Sequence, residues 1–448
     1  MKCFKTYVSG LYVLFGVLLM ASCSKEVPTV NSSSLDLADN ALVREWYDLS
    51  LQLIPKCNGY SEPIAARSLT YVSYAMYESL ILGLPSYNSL QLRADGLKTT
   101  LPQADPQKEY NWAIVANEAT AFVVYNMYLP SGNNILKVDE LKNNFNLKYS
   151  SGLTTEVISN SVELGKSIGR AIYKYSLTDG QNEAFLYNYP DDYVLTSGPG
   201  QWIPSSPDYE PKPMLPYWGN VRPTINDNLQ ISLSKDLQYS TSPNSTIYAE
   251  ALEVYNLSQN LTNDQKESLE YWNRYMDSHA TALCHNMLLT IQLVKEQQLD
   301  LPKTLELMVR MSFAMHDAYI ATWNVKYKMN LLRVSTYIKQ NISRFYIPEM
   351  ASMPVPEFVS ESAVIYSLSS EILASTFGHR FPYMDYTQKD RKDLRSKQRY
   401  FESFEQMSKE AAYSDIYAGV HFRSSIDAGY DLGFDIAQHL IKFPLTSK

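Results

Sequence analysis

The sequence predicts an all-α fold, a large multi-helix bundle, and three observations carry that prediction. Segment after segment repeats its apolar residues at the helical period, whereas none alternates convincingly at the strand period. Tyrosine is common, 35 of 448 residues against 17 glycines. Its apolar ring with a polar tip suits broad helix packing and tyrosine-lined clefts. Ten or more helices are expected.

In chain order, the first segment is a leader. Residues 1–22 have Lys2 and Lys5, an almost wholly apolar run from Leu11 to Met20, then small residues. This is an export signal, too short for a confident membrane span. "LMASC" resembles a bacterial lipobox, which would make Cys23 the lipidated first residue of the mature chain. The bland alternative is an ordinary secretory signal with a chance cysteine. Residues 23–38 form a polar tether. Residues 39–448 are read as one helical domain, and no second apolar run is long enough to span a bilayer. Attachment through lipid alone, to the cell envelope and in particular to an outer membrane, is the expected location.

Helical stripes then run over Ile64–Leu82, Trp112–Tyr128 and Val157–Tyr175. Thr262 and Gln265 have capping-box spacing and head a helix through Tyr275. Further helices are expected at Thr281–Lys295, Leu305–Lys326, Ala363–Phe377, Asp390–Ala412 and Ser425–Ile441. One stretch breaks the pattern. Residues 185–243 contain nine prolines along with Trp202, Tyr217 and Trp218. The buried-type aromatics argue for an ordered excursion over the bundle, walling a cleft, rather than a disordered linker.

The net charge of −8 excludes a nucleic-acid partner on electrostatic grounds. Cys57 and Cys284 fit either one disulfide or two buried thiols. Six histidines occur, His279, His285, His316, His379, His421 and His439, with no zinc-helix spacing among them. A satisfied core or surface role is the ordinary reading of each. No glycine-rich phosphate loop, nucleophile elbow or CxxC is present. Lys326 and Arg333 are seven apart, which would put them on one face if a helix continued. A solvated basic face is the simpler account of that spacing. Ser360 stands before a helix whose free N–H groups favour an anion.

Three segments together resemble the vanadium-dependent haloperoxidase and type 2 phosphatidic acid phosphatase superfamily, in its bacterial haloperoxidase-like branch. The family pattern runs K-x6-R-P, P-S-G-H and S-R-x5-H. Here the first is Lys326 to Arg333 with Val334 following. The second is Val359, Ser360, Glu361 and Ser362. The third is Ser414, Asp415, five residues and His421. "AARSLTYVSYAMYESL", "PMLPYWGNVRPTI", "FAMHDAYIATWNVKY" and "GVHFRSSIDAGYDLG" extend the resemblance over most of the mature chain.

The resemblance implies vanadate or phosphate as the bound oxyanion. It makes Lys326 and Arg333 anion ligands, Ser360 a hydroxyl donor, and His421 the vanadate ligand or nucleophile. Three positions depart from it. Ser362 replaces the acid–base histidine, and a hydroxyl is no substitute for imidazole near neutral pH. Asp415 replaces the second arginine, and Glu361 replaces the glycine. Three fixed positives become two positives and two negatives, which weakens vanadate or abolishes it.

Three readings follow. In the first, Glu361 and Asp415 pair with Lys326 and Arg333, and the impaired site is plugged. In the second, phosphatase or haloperoxidase turnover survives on His421, with His285 or His379 as a substitute proton donor. In the third, the envelope lipoprotein binds a small molecule, or a divalent cation through Glu361, Asp415 and His421.

Overall fold

The computed structural model describes residues 32–91, 97–205, 208–233, 236–272 and 281–447. The export signal, Cys23, most of the tether and His279 lie outside them. Thirteen α-helices are present among the described residues. They are α1 (Ala41–Leu53), α2 (Glu62–Leu80), α3 (Trp112–Met127), α4 (Leu136–Tyr149), α5 (Thr155–Ser176), α6 (Thr246–Gln259) and α7 (Asn263–Trp272). Then come α8 (Ala282–Glu296), α9 (Leu301–Met329), α10 (Val334–Asn341), α11 (Glu361–Phe377), α12 (Phe404–Ala418) and α13 (Arg423–Lys442). Among the described residues, strand is confined to two small pairs: β1 (Ser32–Ser33) with β2 (Tyr110–Asn111), parallel, and β3 (Tyr383–Asp385) with β4 (Arg399–Phe401), antiparallel. No helix of the described residues is long and apolar enough to cross a membrane.

Two sets of helices flank α9. On one side α2, α3 and α5 pack together; on the other, α11, α12 and α13 do. Helix α9 touches α2, α11 and α13, so it joins both sets into one core. It begins with Asp300 accepting from Lys303 N (2.9 Å) and ends at Asn330, which is left-handed at φ 47°. Asparagine tolerates that conformation better than most residues.

The α11–α13 crossing is close because α13 presents Gly429 and Gly433. A Cβ at these positions would sit 2.6 Å from Ser360 O and 2.3 Å from Val364 O. Backbone therefore meets backbone where α11 begins, and this fixes the position of Ser360.

The capping box at the start of α7 is present: Thr262 N donates to Gln265 Oε1 (2.9 Å) and Gln265 N to Thr262 Oγ1 (3.2 Å). Two expectations need correction. The helix read over Asp390–Ala412 is instead the β3–β4 hairpin arm followed by α12. Ser403 caps α12, accepting from Gln406 N (3.1 Å), while Glu402 N donates to Gln406 Oε1 (2.7 Å). Residues 386–398 are dominated by charged and polar side chains, with Leu394 buried among them, so they offer no apolar stripe. Lys326 and Arg333 also do not share one helix. Helix α9 stops at Met329, and Arg333 is the N-cap of α10. Helices α1, α4, α6 and α10 were not read from the sequence. Helix α4 buries only Val138 and Phe145, which leaves little period to detect.

The proline-rich excursion is ordered where described. Trp202 and Trp218 are buried, and Trp202 N donates to Asn330 O (2.8 Å). Asp317 on α9 holds the far end of the excursion. Its carboxylate accepts from Thr224 N, Thr224 Oγ1, Ile225 N and Asn228 Nδ2, all at 2.7–2.9 Å. Burial pushes its pKa up to about 6, against those four donors. Cys57 and Cys284 are free buried thiols, so the disulfide alternative falls.

Candidate functional site

Three chain segments meet where α9 ends, where α11 begins, and in the turn between α12 and α13. Lys326 comes from the last turn of α9, and its Nζ donates to Pro356 O (3.1 Å) and Glu357 O (3.0 Å). Residues 355–360 are held between neighbouring segments: Glu357 N donates to Leu331 O (2.9 Å) and Ser360 N to Ser425 O (3.0 Å). Ser360 caps α11 through Ala363 N (3.2 Å), which leaves Glu361 as the first helical residue. A carboxylate there is favoured by the helix N-terminus. Gly419, left-handed at φ 75°, ends α12 and turns the chain so that His421 faces this cluster.

The charges are matched internally. Lys326 Nζ lies 3.0 Å from Glu361 Oε2, and Arg333 Nε lies 3.3 Å from Glu357 Oε2. His421 stands between the two acids, Nδ1 2.8 Å from Glu357 Oε1 and Nε2 3.4 Å from Glu361 Oε2. Phe422 N also donates to Glu357 Oε1 (3.1 Å). Asp415 is reached by hydroxyls: Ser362 donates to it closely, Ser360 at 3.3 Å, and the two serines are 3.0 Å apart. All of these residues are buried. With His421 protonated, three cations (Lys326, Arg333, His421) face three carboxylates (Glu357, Glu361, Asp415).

Burial alone would raise the Glu361 pKa, but Lys326, then His421, overcome it and hold the carboxyl well below its ordinary value. Burial likewise acts to raise Glu357, and His421 and Arg333 reverse it to a net lowering. For His421, burial favours the neutral ring, yet Glu357 and Glu361 leave its pKa raised. For Lys326, burial wins over Glu361 and the pKa is lowered.

The structure thus brings together Lys326, Arg333, Ser360, Glu361, Ser362, Asp415 and His421, seven residues singled out from the sequence. It rearranges one expected pairing. The carboxylate beside Arg333 is Glu357, while Asp415 takes the serine hydroxyls. Glu357 was missed by sequence reasoning, and its signal was available. An acid inside the otherwise apolar "PVPEFV" is buried by its neighbours and therefore needs a cation.

The substitute proton donors are elsewhere. His285 is fully buried and bonded to Asp385 (2.7 Å), with Trp272 packed on its ring. His379 is exposed beyond the C-terminus of α11. His316 and His439 bond to Arg222 O and Asn228. Among the described residues, no three or more His, Cys, Asp or Glu side chains form a group that could hold a metal ion.

Above the cluster is a cleft of about 450 Å³. Arg333, Glu361 and His421 lie at its buried end, and residues 349–354 form one wall. Tyr189, Asp208 and Met214 of the excursion form another. Met214 is set by its N–H to Pro354 O (2.8 Å), and its carbonyl accepts from Trp323 Nε1 (3.3 Å) and Tyr327 Oη (2.5 Å).

Comparison with known proteins bears on the fold. Residues 343–446 match the family of the VCPO second helical-bundle domain. A bacterial vanadium-dependent iodoperoxidase structure matches with a TM-score of 0.81 and 24% identity, covering 93% of this chain and 100% of that one. A bacterial vanadium-dependent chloroperoxidase matches in its holo form with a TM-score of 0.63 and 14% identity, covering 87% of this chain and 96% of that one. No curated protein sequence matches.

Proposed function

From the fold of the vanadium haloperoxidase superfamily as premise, we propose that this chain is a cell-envelope lipoprotein whose oxyanion site is filled by its own carboxylates. Cys23 is its lipid anchor, and the outer membrane its place. The observation that carries the reading is the Lys326–Glu361 and Arg333–Glu357 pairing, with His421 held between both acids.

The residues present do not fit vanadate or phosphate. Each cation that would meet the oxyanion already has a carboxylate. A unit charge about 4 Å away is worth about 4 kcal/mol at an effective dielectric of about 20. A dianion entering beside Glu361 meets repulsion of that order where a clamp needs attraction. Proton transfer is also unprovided for among the described residues: Ser362 donates to Asp415, and none of the other described histidines reaches the cluster. His421 is oriented by Glu357 as a nucleophile would be, but its Nε2 faces Glu361.

The function left to such a chain is to bind a small molecule in the cleft without turnover. The test is assay of the purified mature domain with vanadate, peroxide and iodide or bromide, and separately with a phosphate monoester. No turnover above the vanadate-only background is expected. Turnover lost in His421→Ala would contradict the proposal and restore the enzyme reading.

A further inference from the structure

The buried end of the cleft holds two opposite kinds of unmet polar atom. Arg333 is 1% exposed, and its Nη1 has no hydrogen-bond acceptor; its Nη2 donates to Val420 O (3.0 Å). Glu361 is 6% exposed, and its Oε2 has Lys326 and His421 near it as charges but accepts no aligned hydrogen bond. The unmade Arg333 donor carries a desolvation penalty, whereas Glu361 Oε2 is compensated in charge by Lys326 and His421 and lacks only an aligned donor. Both residues line the same cavity. A ligand that satisfies both must bring an acceptor to Arg333 and a donor to Glu361.

Charge narrows the choice. The cleft is lined by Glu62, Asp208, Glu349 and Glu361, against Arg333 and His421. A net anion is therefore disfavoured and an ammonium favoured. The remaining wall is mostly apolar, with Thr281 and Ser352 as its hydroxyl residues. Met214, Met350 and Met353 bring three thioethers to it, and Tyr189 adds a ring. Thioethers adapt to varied apolar shapes, and an aromatic face accepts a cation. About 450 Å³ admits a compact molecule of the size usual for small-ligand sites.

We infer that the cleft binds a small zwitterion with an apolar side chain, of the α-amino acid class, its carboxylate on Arg333 and its ammonium on Glu361. The inference rests on the reading that the oxyanion site is closed. It adds the ligand class, which the closed site alone does not specify.

The experiment is calorimetry on the full mature chain with three probes of similar apolar length: norleucine (zwitterion), pentylamine (cation) and hexanoate (anion). Norleucine is expected to bind at least about tenfold more tightly than either singly charged probe, the factor for one hydrogen-bonded contact of about 1.4 kcal/mol. Glu361→Gln should weaken norleucine by a similar factor. Met353→Ala, at a half-buried wall position, should weaken it a few-fold with an unchanged melting temperature, which covers the case of a misfolded Glu361 variant. Equal or tighter binding of hexanoate or pentylamine, or no binding of any probe at millimolar concentration, would overturn the inference. Orthovanadate is titrated in parallel. Vanadate binding to the unaltered chain means the closed-site reading has failed; silence of both vanadate and norleucine means that the zwitterion alone has failed.

Discussion

Two ionic clusters lie at different levels along α9, and they are finished differently. In the first, Arg67 Nε donates to Asp179 Oδ2 (2.5 Å) and Arg67 Nη2 to Ser176 O (2.7 Å). Tyr71 Oη donates to the same Asp179 oxygen (2.9 Å), and Gln181 N to the other (3.2 Å). Arg222 of the excursion closes the group through Tyr71 Oη (3.0 Å) and Tyr175 O (2.8 Å). In the second, around Lys326 and Arg333, charges are matched but hydrogen bonds are not. Arg333 Nε and Nη1, Glu357 Oε2 and Glu361 Oε2 all lack aligned partners. The first cluster is a knot that ties the α2–α5 side to the excursion. The second pairs its cations with acids but leaves four polar atoms without aligned partners. Charge pairing and hydrogen-bond satisfaction are separate requirements: the buried Arg67–Asp179 pair meets both, whereas the second cluster meets only the first.

The largest way to break this comparison is in the knot. Asp179→Asn leaves Arg67 buried without a counter-charge and should destabilise the fold by about 3–5 kcal/mol in urea unfolding. No added anion should reverse the loss. Glu361→Gln should cost less, about 1–3 kcal/mol, because Glu357 and Asp415 remain and the amide keeps the shape. Here vanadate or phosphate should recover stability by binding the freed cations, seen as an anion-dependent rise in melting temperature. If anions rescued the Asp179 variant, or did nothing for the Glu361 variant, the two clusters would not differ in kind. Ser362→Ala should cost about 1 kcal/mol by removing one donor from Asp415, with Ser360 still in place.

The smallest expected effect is in pH. His421 has a raised pKa, so its stabilising charge is fully present below its ordinary value of 6.5 and is lost as pH rises through the raised value. Glu357 and Glu361 have lowered pKa values, so their contribution is present above their ordinary 4.5 and is lost as pH falls through the lowered values. Melting temperature should therefore decline by a few degrees on the alkaline side, and His421→Ala should flatten that limb.

Much of this was legible in the sequence, for particular reasons. Helices α2, α3, α5, α9, α11 and α13 bury wide faces or whole circumferences, and their apolar residues show it. The stretch 386–398 misled because its neighbours are helical and nothing in its charged residues reveals a hairpin. The excursion was readable from Trp202 and Trp218, which solvent-exposed linkers rarely carry. Within the site, the motif spacing located Lys326, Arg333, Ser360 and His421. It did not reveal that the turn at Asn330 separates the first two. An acid inside "PVPEFV" could have marked Glu357 as needing a cation, but which cation it meets is a property of three dimensions. Asp415 shows the same limit: its partner was guessed by charge and decided by reach.

The central claim is that the chain's own carboxylates take the place of the oxyanion. Calorimetric titration of orthovanadate, with phosphate as competitor, tests it most directly on two proteins: the unaltered mature chain and the triple variant Glu361→Gly, Ser362→His, Asp415→Arg. No heat of binding to the unaltered chain is expected at millimolar vanadate, and micromolar binding is expected to the triple variant. Micromolar vanadate binding to the unaltered chain, lost in His421→Ala, would contradict it.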